Sequence, residues 1–424
     1  MRLSPFALSL ACSTLGAQGS VWTVDDDAPA DFASIQLAVN AAANGDAVLV
    51  RDGTYSGFTI DGKGLLILGD TTGTARVEQS SFGSDPVVEV VNLAANQTVV
   101  FMGLEVEALP GFFSTGEAIE VVDCLGPVWI EDCNLIGLGL LAAVRVTDSS
   151  TAIITRSTLV GANAPDLAFG LGWSDGLYCD DSNAYVYDSD LVGSDGLGGP
   201  CGDDIECGPA TPSGNGASIW GGSMYISGSV LTGGTGDDGE TGCIFQTMGN
   251  GSAGGDGVSL SGAVPSTVEL VDTGLFFGLG GDGSGVCSDG ADGAPSFVAA
   301  SSTLVSTAGV ARSLSSTTPV REGEMTDIVF TGAEDDFVFG VASTSALGLA
   351  LPGYHGPLLV GVPFNLVTVG VLPPSGEVTL TLTMDPLPGG WDYLVRYLQA
   401  LHVTPGLEAF LSAPTALVVL DDSF

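Results

Sequence analysis

The sequence predicts an all-β protein: a right-handed parallel β-helix with an N-terminal capping helix, followed by a small antiparallel β-sandwich. Short apolar segments recur between residues 101 and 304, and an amphipathic helix precedes the first strand. Residues 314–424 contain strands in which apolar and polar residues alternate. The 63 glycines and the 45% share of hydrophobic residues fit many short strands joined by tight turns.

The repeat is a six-residue segment that begins with an apolar or small residue and ends with an aliphatic one. Glycine-, aspartate- and serine-rich stretches of unequal length separate the segments, so the strands repeat while the loops vary, as in a solenoid. The aliphatic end points are Val106, Leu135, Leu159, Leu191, Leu231, Leu275 and Leu304.

Neighbouring strands lie about 4.8 Å apart, so equivalent residues of successive coils should stack in columns. An interior aliphatic column is predicted at Ile130, Ile154, Val186, Ile226 and Leu270. A hydroxyl column that satisfies its own hydrogen bonds in a corner of the coil is predicted at Cys133, Ser157, Ser189, Ser229, Thr273 and Ser302.

A helix is expected over residues 31–44, with Asp31 as its N-cap and Gly45 as its C-terminal stop. A solenoid needs such a cap over its open apolar end. The apolar face of this helix comprises Phe32, Ile35, Ala38, Val39 and Ala42.

Residues 31–70 resemble the opening of pectin-lyase-like right-handed β-helix proteins. The shared features are a cap helix, the pattern GD-x-V-x-V-x-x-G-x-Y, a Lys-Gly turn and an apolar strand. The repeats extend the resemblance to about residue 310. It implies the fold, because this opening occurs in enzymes and non-enzymes alike.

The β-helix is expected over residues 20–313, with loop insertions at 193–216, 233–257 and 278–296, and the sandwich over residues 314–424. The last part is similar to C-terminal modules of large secreted proteins from environmental bacteria. Alternating apolar and polar residues in several short runs predict its strands.

Residues 1–19 have the pattern of a secretory signal peptide. Arg2 supplies the positive charge, residues 3–15 the apolar stretch, and residues 17–19 a small-x-small cleavage site. We therefore expect a secreted protein that is extracellular or bound to the cell surface.

The chain carries 50 acidic and 9 basic residues, a formal net charge of −41. Such a surface repels phosphate backbones and anionic lipids, which argues against nucleic-acid partners. No remaining segment is apolar over the length of a membrane span.

Export permits disulfides. Cys201 and Cys207 share one Gly/Pro-rich loop and form one candidate pair, and Cys243 and Cys287 lie in successive glycine-rich loops and form another. The connectivity stays open.

The motif sets of polygalacturonases and pectin methylesterases are absent, and no histidine lies in the repeats. A calcium-dependent lyase would need carboxylates for Ca²⁺ and a basic residue to take a proton. Asp132, Arg156 and Asp188 occupy equivalent outward positions on three coils and form the candidate set. The simpler interpretation is a structural charge ladder.

A further column, at Trp129, Ile153, Tyr185 and Tyr225, is predicted to point outward. Stacked aromatic rings suit the faces of sugars, so Trp129, Tyr185 and Tyr225 are candidate glycan-binding residues. The alternative is a secondary core covered by the inserted loops.

Glycine with aspartate is typical of calcium loops, and the turn with Asp180 and Asp181 is a candidate cation site. The insertions match no regular calcium repeat, and solvated acidic loops are the simpler interpretation. No other cofactor is indicated.

The favoured function is that of a secreted or cell-surface β-helix protein without catalysis, with a structural, adhesive or glycan-binding role. The alternative is a calcium-dependent polysaccharide lyase, or another carbohydrate-active enzyme, acting at Asp132, Arg156 and Asp188. Polysaccharide or cell-surface components are the expected partners, and self-assembly is left open.

Overall fold

A computed structural model describes residues 19–27, 29–79, 85–108, 116–138, 142–162, 173–197, 210–239 and 249–424. The predicted signal peptide lies outside these ranges except for Gly19. Within them the chain forms 36 strands and one helix, and no described helix has the length and apolarity needed to cross a bilayer.

Residues 21–307 hold the helix, α1 (Ile35–Ala41), and the first 24 strands. These strands are β1 (Val21–Val24), β2 (Ala47–Val50), β3 (Gly53–Ser56), β4 (Phe58–Asp61), β5 (Leu66–Gly69), β6 (Ala75–Glu78), β7 (Val88–Val91), β8 (Val99–Met102), β9 (Leu104–Glu107), β10 (Ile119–Val122), β11 (Val128–Glu131), β12 (Asn134–Leu138), β13 (Ala142–Thr147), β14 (Ala152–Thr155), β15 (Thr158–Ala162), β16 (Asp175–Tyr187), β17 (Asp190–Val192), β18 (Ala217–Ser227), β19 (Val230–Thr232), β20 (Val258–Leu260), β21 (Ser266–Val271), β22 (Gly274–Phe276), β23 (Ser296–Val298) and β24 (Thr303–Thr307).

Residues 313–420 hold the remaining twelve strands. They are β25 (Ser313–Ser316), β26 (Val320–Arg321), β27 (Met325–Thr331), β28 (Phe337–Ser343), β29 (Ala346–Ala350), β30 (Tyr354–His355), β31 (Pro357–Val360), β32 (Asn365–Val371), β33 (Glu377–Thr383), β34 (Tyr393–Val403), β35 (Ala409–Leu411) and β36 (Thr415–Leu420).

Strands β1–β24 pair in parallel and stack in three columns, which confirms the predicted β-helix. Column one holds β4, β7, β10, β13, the first half of β16, the first half of β18, β20 and β23. Column two holds β1, β2, β5, β8, β11, β14, the second halves of β16 and β18, β21 and β24. Column three holds β3, β6, β9, β12, β15, β17, β19 and β22.

The predicted aliphatic column is confirmed in column two. Ile130 is in register with Ile154, Ile154 with Val186, Val186 with Ile226, and Ile226 with Leu270. All five side chains are buried in the interior of the coil. Burial of apolar surface at each level stabilises the stack by about 25 cal/mol per Å².

The capping helix is shorter than expected. It runs over Ile35–Ala41, its N-cap is Ser34, and Ile35, Ala38 and Val39 are buried against the first coils. Asp31 is not the N-cap, because its carboxylate accepts hydrogen bonds from the backbone N–H and the hydroxyl of Thr23. Those bonds hold residue 31 beside β1, outside the helix.

Each coil turns its corners through single residues in the left-handed conformation. Between columns two and three these include Asp132, Arg156 and Asp188, with φ of 52°, 48° and 48°, and between columns one and two they include Asp148 and Asp181. Aspartate, asparagine and glycine tolerate this conformation best, which explains the many aspartates at strand ends.

The predicted hydroxyl column stands at the corner between columns two and three. Ser157 Oγ accepts a hydrogen bond from Cys133 N, Ser189 Oγ from Ser157 N, and Ser229 Oγ from Ser189 N, each at 3.1 Å. Each hydroxyl also donates to a carbonyl two residues before it. The ladder satisfies the buried polar groups of the corner.

Ser302 is not part of this column. Leu304 is in register with Val268, not with Leu275, and Ser302 Oγ accepts a hydrogen bond from Ser266 N at the other corner. That second corner has its own ladder, in which Ser149 Oγ accepts from Cys124 N. At both corners a residue in the left-handed conformation is followed by a serine. The sequence pattern therefore does not distinguish one corner from the other.

The described parts of the three insertions form a hydrogen-bonded unit that we name the glycine bundle: residues 193–197, 210–216, 233–239, 249–257 and 278–296. Hydrogen bonds between its segments recur every three residues, which is typical of chains with three residues per turn. Gly233, Gly236 and Gly239 donate to the carbonyls of Phe276, Leu279 and Asp282, and Gly251, Gly254 and Gly257 donate to those of Ser288, Ala291 and Ala294.

Aspartates of the glycine bundle bind backbone N–H groups of neighbouring segments. Asp195 accepts from Thr235 N at 2.8 Å, Asp238 from Asp282 N at 2.7 Å, and Asp256 from Ala294 N at 2.7 Å. These bonds replace the freely solvated loops expected from the sequence. These three carboxylates connect successive coils, and none of them belongs to a group of close carboxylates among the described residues.

The C-terminal domain is a sandwich of two mainly antiparallel sheets. Strands β25, β27 and β33 form one sheet, and β26, β36, β34, β28, β32, β30 and β35 form the other. Along β34, Leu398 and Ala400 face the sandwich core, whereas Tyr397 and Leu401 face the β-helix. The larger sheet is therefore buried on both sides at β34, and this strand joins the two domains.

The close packing of the glycine bundle gives a testable consequence. A Cβ at residue 278 would overlap the carbonyl oxygen of Gly234, whereas a Cβ at residue 389 would meet nothing within 4 Å. We expect Gly278→Ala to destabilise the protein by about 1–3 kcal/mol, the usual cost of overpacking, and Gly389→Ala to change stability by less than about 0.5 kcal/mol. Thermal denaturation measures both, and equal melting temperatures for the two variants would contradict the packing.

Candidate functional site

The predicted aromatic column has the expected register, but it is not open. Trp129 aligns with Ile153, Ile153 with Tyr185, and Tyr185 with Tyr225. Trp129, Tyr185 and Tyr225 are 0%, 8% and 6% exposed and belong to the apolar interface with the C-terminal domain. The Trp129 ring lies 5.3 Å from that of Tyr397. These rings are inaccessible to a glycan, and the sandwich covers them, not the inserted loops.

Glu131 is a fully buried carboxylate in the same interface. It accepts hydrogen bonds from Trp129 Nε1 at 2.7 Å, Thr415 Oγ1 at 2.5 Å and Ala416 N at 2.9 Å, and it pairs with Arg156. Burial raises its pKa, while Arg156, Thr415 and Ala416 act in the opposite direction. A buried charge is tolerated when it is paired in this way.

Arg156 joins two carboxylates of the β-helix to the sandwich. Its Nε lies 3.0 Å from Asp132 Oδ1, and its Nη2 contacts Glu131 and Thr415. Burial alone would lower the pKa of Arg156, but Glu131 and Asp132 raise it. A group that takes a proton from a substrate needs a lowered pKa, so this arrangement suits a permanent ion pair.

Asp188, the third member of the predicted lyase set, is engaged elsewhere. Its Oδ2 accepts a hydrogen bond from Ser313 Oγ at 2.7 Å, and burial raises its pKa. A groove of about 330 Å³ does border Asp132 and Arg156, but Asp188 is not among its lining residues. The structure thus brings Asp132 and Arg156 together and ties Asp188 to the start of the sandwich.

Asp180 and Asp181 are adjacent at the end of a column-one strand. Burial, followed by the charges of Asp181 and Asp148, raises the pKa of Asp180. Among the described residues, groups of three close carboxylates occur at 25–27 and at Glu322, Asp421 and Asp422, away from this turn. The predicted cation site at Asp180 and Asp181 gains no third ligand from them.

Cys287 is disulfide-bonded. Cys201, Cys207 and Cys243 lie outside the described residues, so the two suggested pairings stay predictions. Cys124, Cys133 and Cys179 are buried free thiols in the β-helix core.

An open aromatic surface lies on the outer side of column one. Glu120 of β10, Arg145 of β13 and Tyr178 of β16 are in register. Two residues after Tyr178 on the same strand, Asp180 is in register with Trp220 of β18. We name these five residues the column-one face. The Tyr178 and Trp220 rings lie 6.4 Å apart, and Trp220 is 46% exposed.

The strands hold this face rigidly. The residues that alternate with it, such as Val146, Cys179 and Ile219, are fully buried in the coil, so the side chains between them must point outward. A Cβ on Gly262 would touch the Trp220 ring at 3.5 Å, which shows that the indole rests against the next turn of the backbone. The aromatic pair is therefore positioned before any ligand arrives.

The charges of the column-one face centre on Arg145. Its Nη1 lies 3.0 Å from Glu120 Oε1 and 3.9 Å from Glu117 Oε1. Partial burial raises the pKa of both glutamates, and Arg145 lowers it. Burial and Asp180 raise the pKa of Tyr178. The face combines one exposed and one half-buried aromatic ring with carboxylates, the residue types that bind sugar faces and sugar hydroxyls.

The sequence analysis missed this face because it aligned the strands of columns two and three. Aligning the column-one strands instead, "AVRVTDS" at 143, "GLYCDDS" at 176 and "GASIWGG" at 216, puts Tyr178 and Trp220 at outward positions. The pattern is visible in the sequence, but loops of unequal length separate the column-one strands from the segments that were aligned.

No protein-family model and no curated protein matches the chain. Among solved structures, it is similar to full-length tailspike protein 2 of Escherichia coli O157:H7 bacteriophage CAB120, with 10% identity, a TM-score of 0.29, and coverage of 90% of this chain and 65% of that one. It is similar to a protein of Geobacillus virus E2, with 14% identity, a TM-score of 0.26, and coverage of 88% and 79%. At these TM-scores the similarities carry no argument about function, and the resemblance to pectin-lyase-like proteins stays a prediction.

The buried pair of Glu131 and Arg156 can be tested by a double-mutant cycle. Arg156→Asn keeps a residue suited to the left-handed corner but leaves Glu131 without its cation, and we expect a loss of about 3–5 kcal/mol. Adding Glu131→Gln should restore a large part of it, because the buried group is then neutral. Urea denaturation of the full chain gives the free energies.

Asp132→Asn is the matched control for this cycle. The Asp132 side chain is 42% exposed, so its loss should cost less than about 1 kcal/mol. If Arg156→Asn destabilised the protein no more than Asp132→Asn, the ion pair would not be holding the domains together.

Proposed function

We propose that the protein is a secreted or cell-surface β-helix protein that binds glycans on the column-one face without cleaving them. The observation that supports this is the exposed, pre-positioned Trp220 ring next to the half-buried Tyr178 ring and beside hydrogen-bonding carboxylates. Aromatic rings that lie together on a rigid exposed sheet are candidates for contact with a partner.

Two other surfaces of the β-helix are already occupied, which supports this assignment. The outer side of column two is covered by the sandwich, and the glycine bundle fills the insertion side with its own hydrogen bonds. Column one keeps an outward row of aromatic and charged side chains across four successive strands. A linear polymer fits such a row better than a compact ligand does.

A catalytic role on the same face is the second candidate. Glu117 and Glu120 share Arg145, and burial raises the pKa of both. A carboxylic acid with a raised pKa is a suitable proton donor for glycoside cleavage. The pairing with Arg145 acts against this by favouring the ionised forms, which is why binding is the preferred assignment.

Binding to a panel of polysaccharides tests the proposal. We expect Trp220→Ala to weaken binding about tenfold, the effect of losing one favourable aromatic contact. Tyr354→Ala, which removes another exposed aromatic ring, from the sandwich (42% exposed), should leave binding unchanged. Equal affinities for the Trp220→Ala variant and the unmodified protein would refute the site.

Product analysis separates binding from catalysis. Incubation with the same panel should release neither new reducing ends nor unsaturated ends. Release that disappears in Glu120→Gln would show an enzyme acting at this face, whereas release lost in Arg156→Ala would restore the set of Asp132, Arg156 and Asp188.

A further inference from the structure

The column-one face carries an excess of negative charge. Asp148 and Asp181 act on Asp180, which is in register with Trp220. Glu117 and Glu120 contact Arg145, the neighbour of Tyr178 on the adjacent strand. Arg145 is the one cation among these groups in the described part of the chain, and Glu120 already occupies it. An anionic ligand at this surface would find no unpaired cation among these groups.

We propose that the column-one face selects glycans that carry protonated amino groups, such as polymers of unacetylated hexosamine. The inference rests on the proposed glycan-binding function and names its substrate class. An ammonium group between Asp180 and the Trp220 ring would gain a charge-assisted hydrogen bond and a cation–π contact together. The sugar ring that bears it would lie on the aromatic pair.

The surroundings of Asp180 favour a cationic ligand. Burial and the charges of Asp181 and Asp148 raise the pKa of Asp180, while Arg145 acts in the opposite direction. Because Arg145 is already paired with Glu120, a further cation at Asp180 would stabilise the ionised carboxylate.

Acidic glycans are the class that this surface excludes. A uronic acid or sulfate would meet the carboxylates directly, within a chain of net charge −41. Like charges in contact cost free energy and also slow association. Acidic sugars therefore carry the wrong charge for the column-one face.

The test compares two ligands that differ only in the amino group: a glucosamine hexamer and its fully N-acetylated counterpart. Titration calorimetry at low ionic strength should show roughly tenfold tighter binding of the amino form. The preference should shrink at high salt, because partly exposed charges are screened. Equal affinities for the two hexamers would overturn the inference, as would tighter binding of polygalacturonate.

Three variants locate the effect. Asp180→Asn should remove most of the preference for the amino form, because it weakens binding of that form much more than binding of the acetylated hexamer. Glu408→Gln makes the same change of net charge at an exposed position in the sandwich and should change neither. An equal loss in Asp180→Asn and Glu408→Gln would mean non-specific attraction to an acidic protein and would overturn the inference.

Trp220→Ala distinguishes failure of the inference from failure of the proposed function. It should weaken binding of both hexamers by similar factors. If Trp220→Ala weakens both while the unmodified protein shows no preference, glycan binding stands and the substrate class is wrong. If neither hexamer nor any other glycan binds in a Trp220-dependent way, the proposed function itself fails.

Discussion

The structure depends on one constraint: successive coils must pair in register, so each residue meets its equivalent one strand away. This constraint turns sequence positions into columns. It explains why aliphatic residues recur inside, why serines at the corners bind one another's neighbouring N–H groups, and why aspartate and glycine occupy left-handed corners. In the insertions the same coil-to-coil pairing continues, but with backbones too close for side chains, so glycine is required there.

Docking of the C-terminal domain decides which surfaces of the β-helix remain available. The sandwich lies along column two, where Trp129, Tyr185 and Tyr225 would otherwise form an exposed aromatic row. At the edge of that contact, Glu131 and Arg156 make a charged connection whose donors come from both domains. The aromatic column that was predicted as a binding surface is therefore part of the apolar interface between the two domains.

The proposed glycan-binding site is on column one. Apart from Asp180, its residues are not those predicted from the sequence. It combines aromatic rings and carboxylates on the same strands, with Arg145 already paired with a glutamate. The acidic character of the whole chain and that of this face act in the same direction. Both favour neutral or cationic partners and disfavour anionic ones.

The sequence by itself determined the β-helix, the interior column from Ile130 to Leu270, most of the hydroxyl ladder and the outward placement of Trp129. These follow from alternation and recurrence along the chain, which are local properties. Only the tertiary structure decided that Trp129 is buried, that Arg156 pairs with Glu131 instead of Asp188, that Ser302 belongs to the other corner, and that the glycine-rich insertions form a bundle. Each of these depends on which distant segments meet, and a repeat with loops of unequal length fixes the local pattern without fixing those contacts.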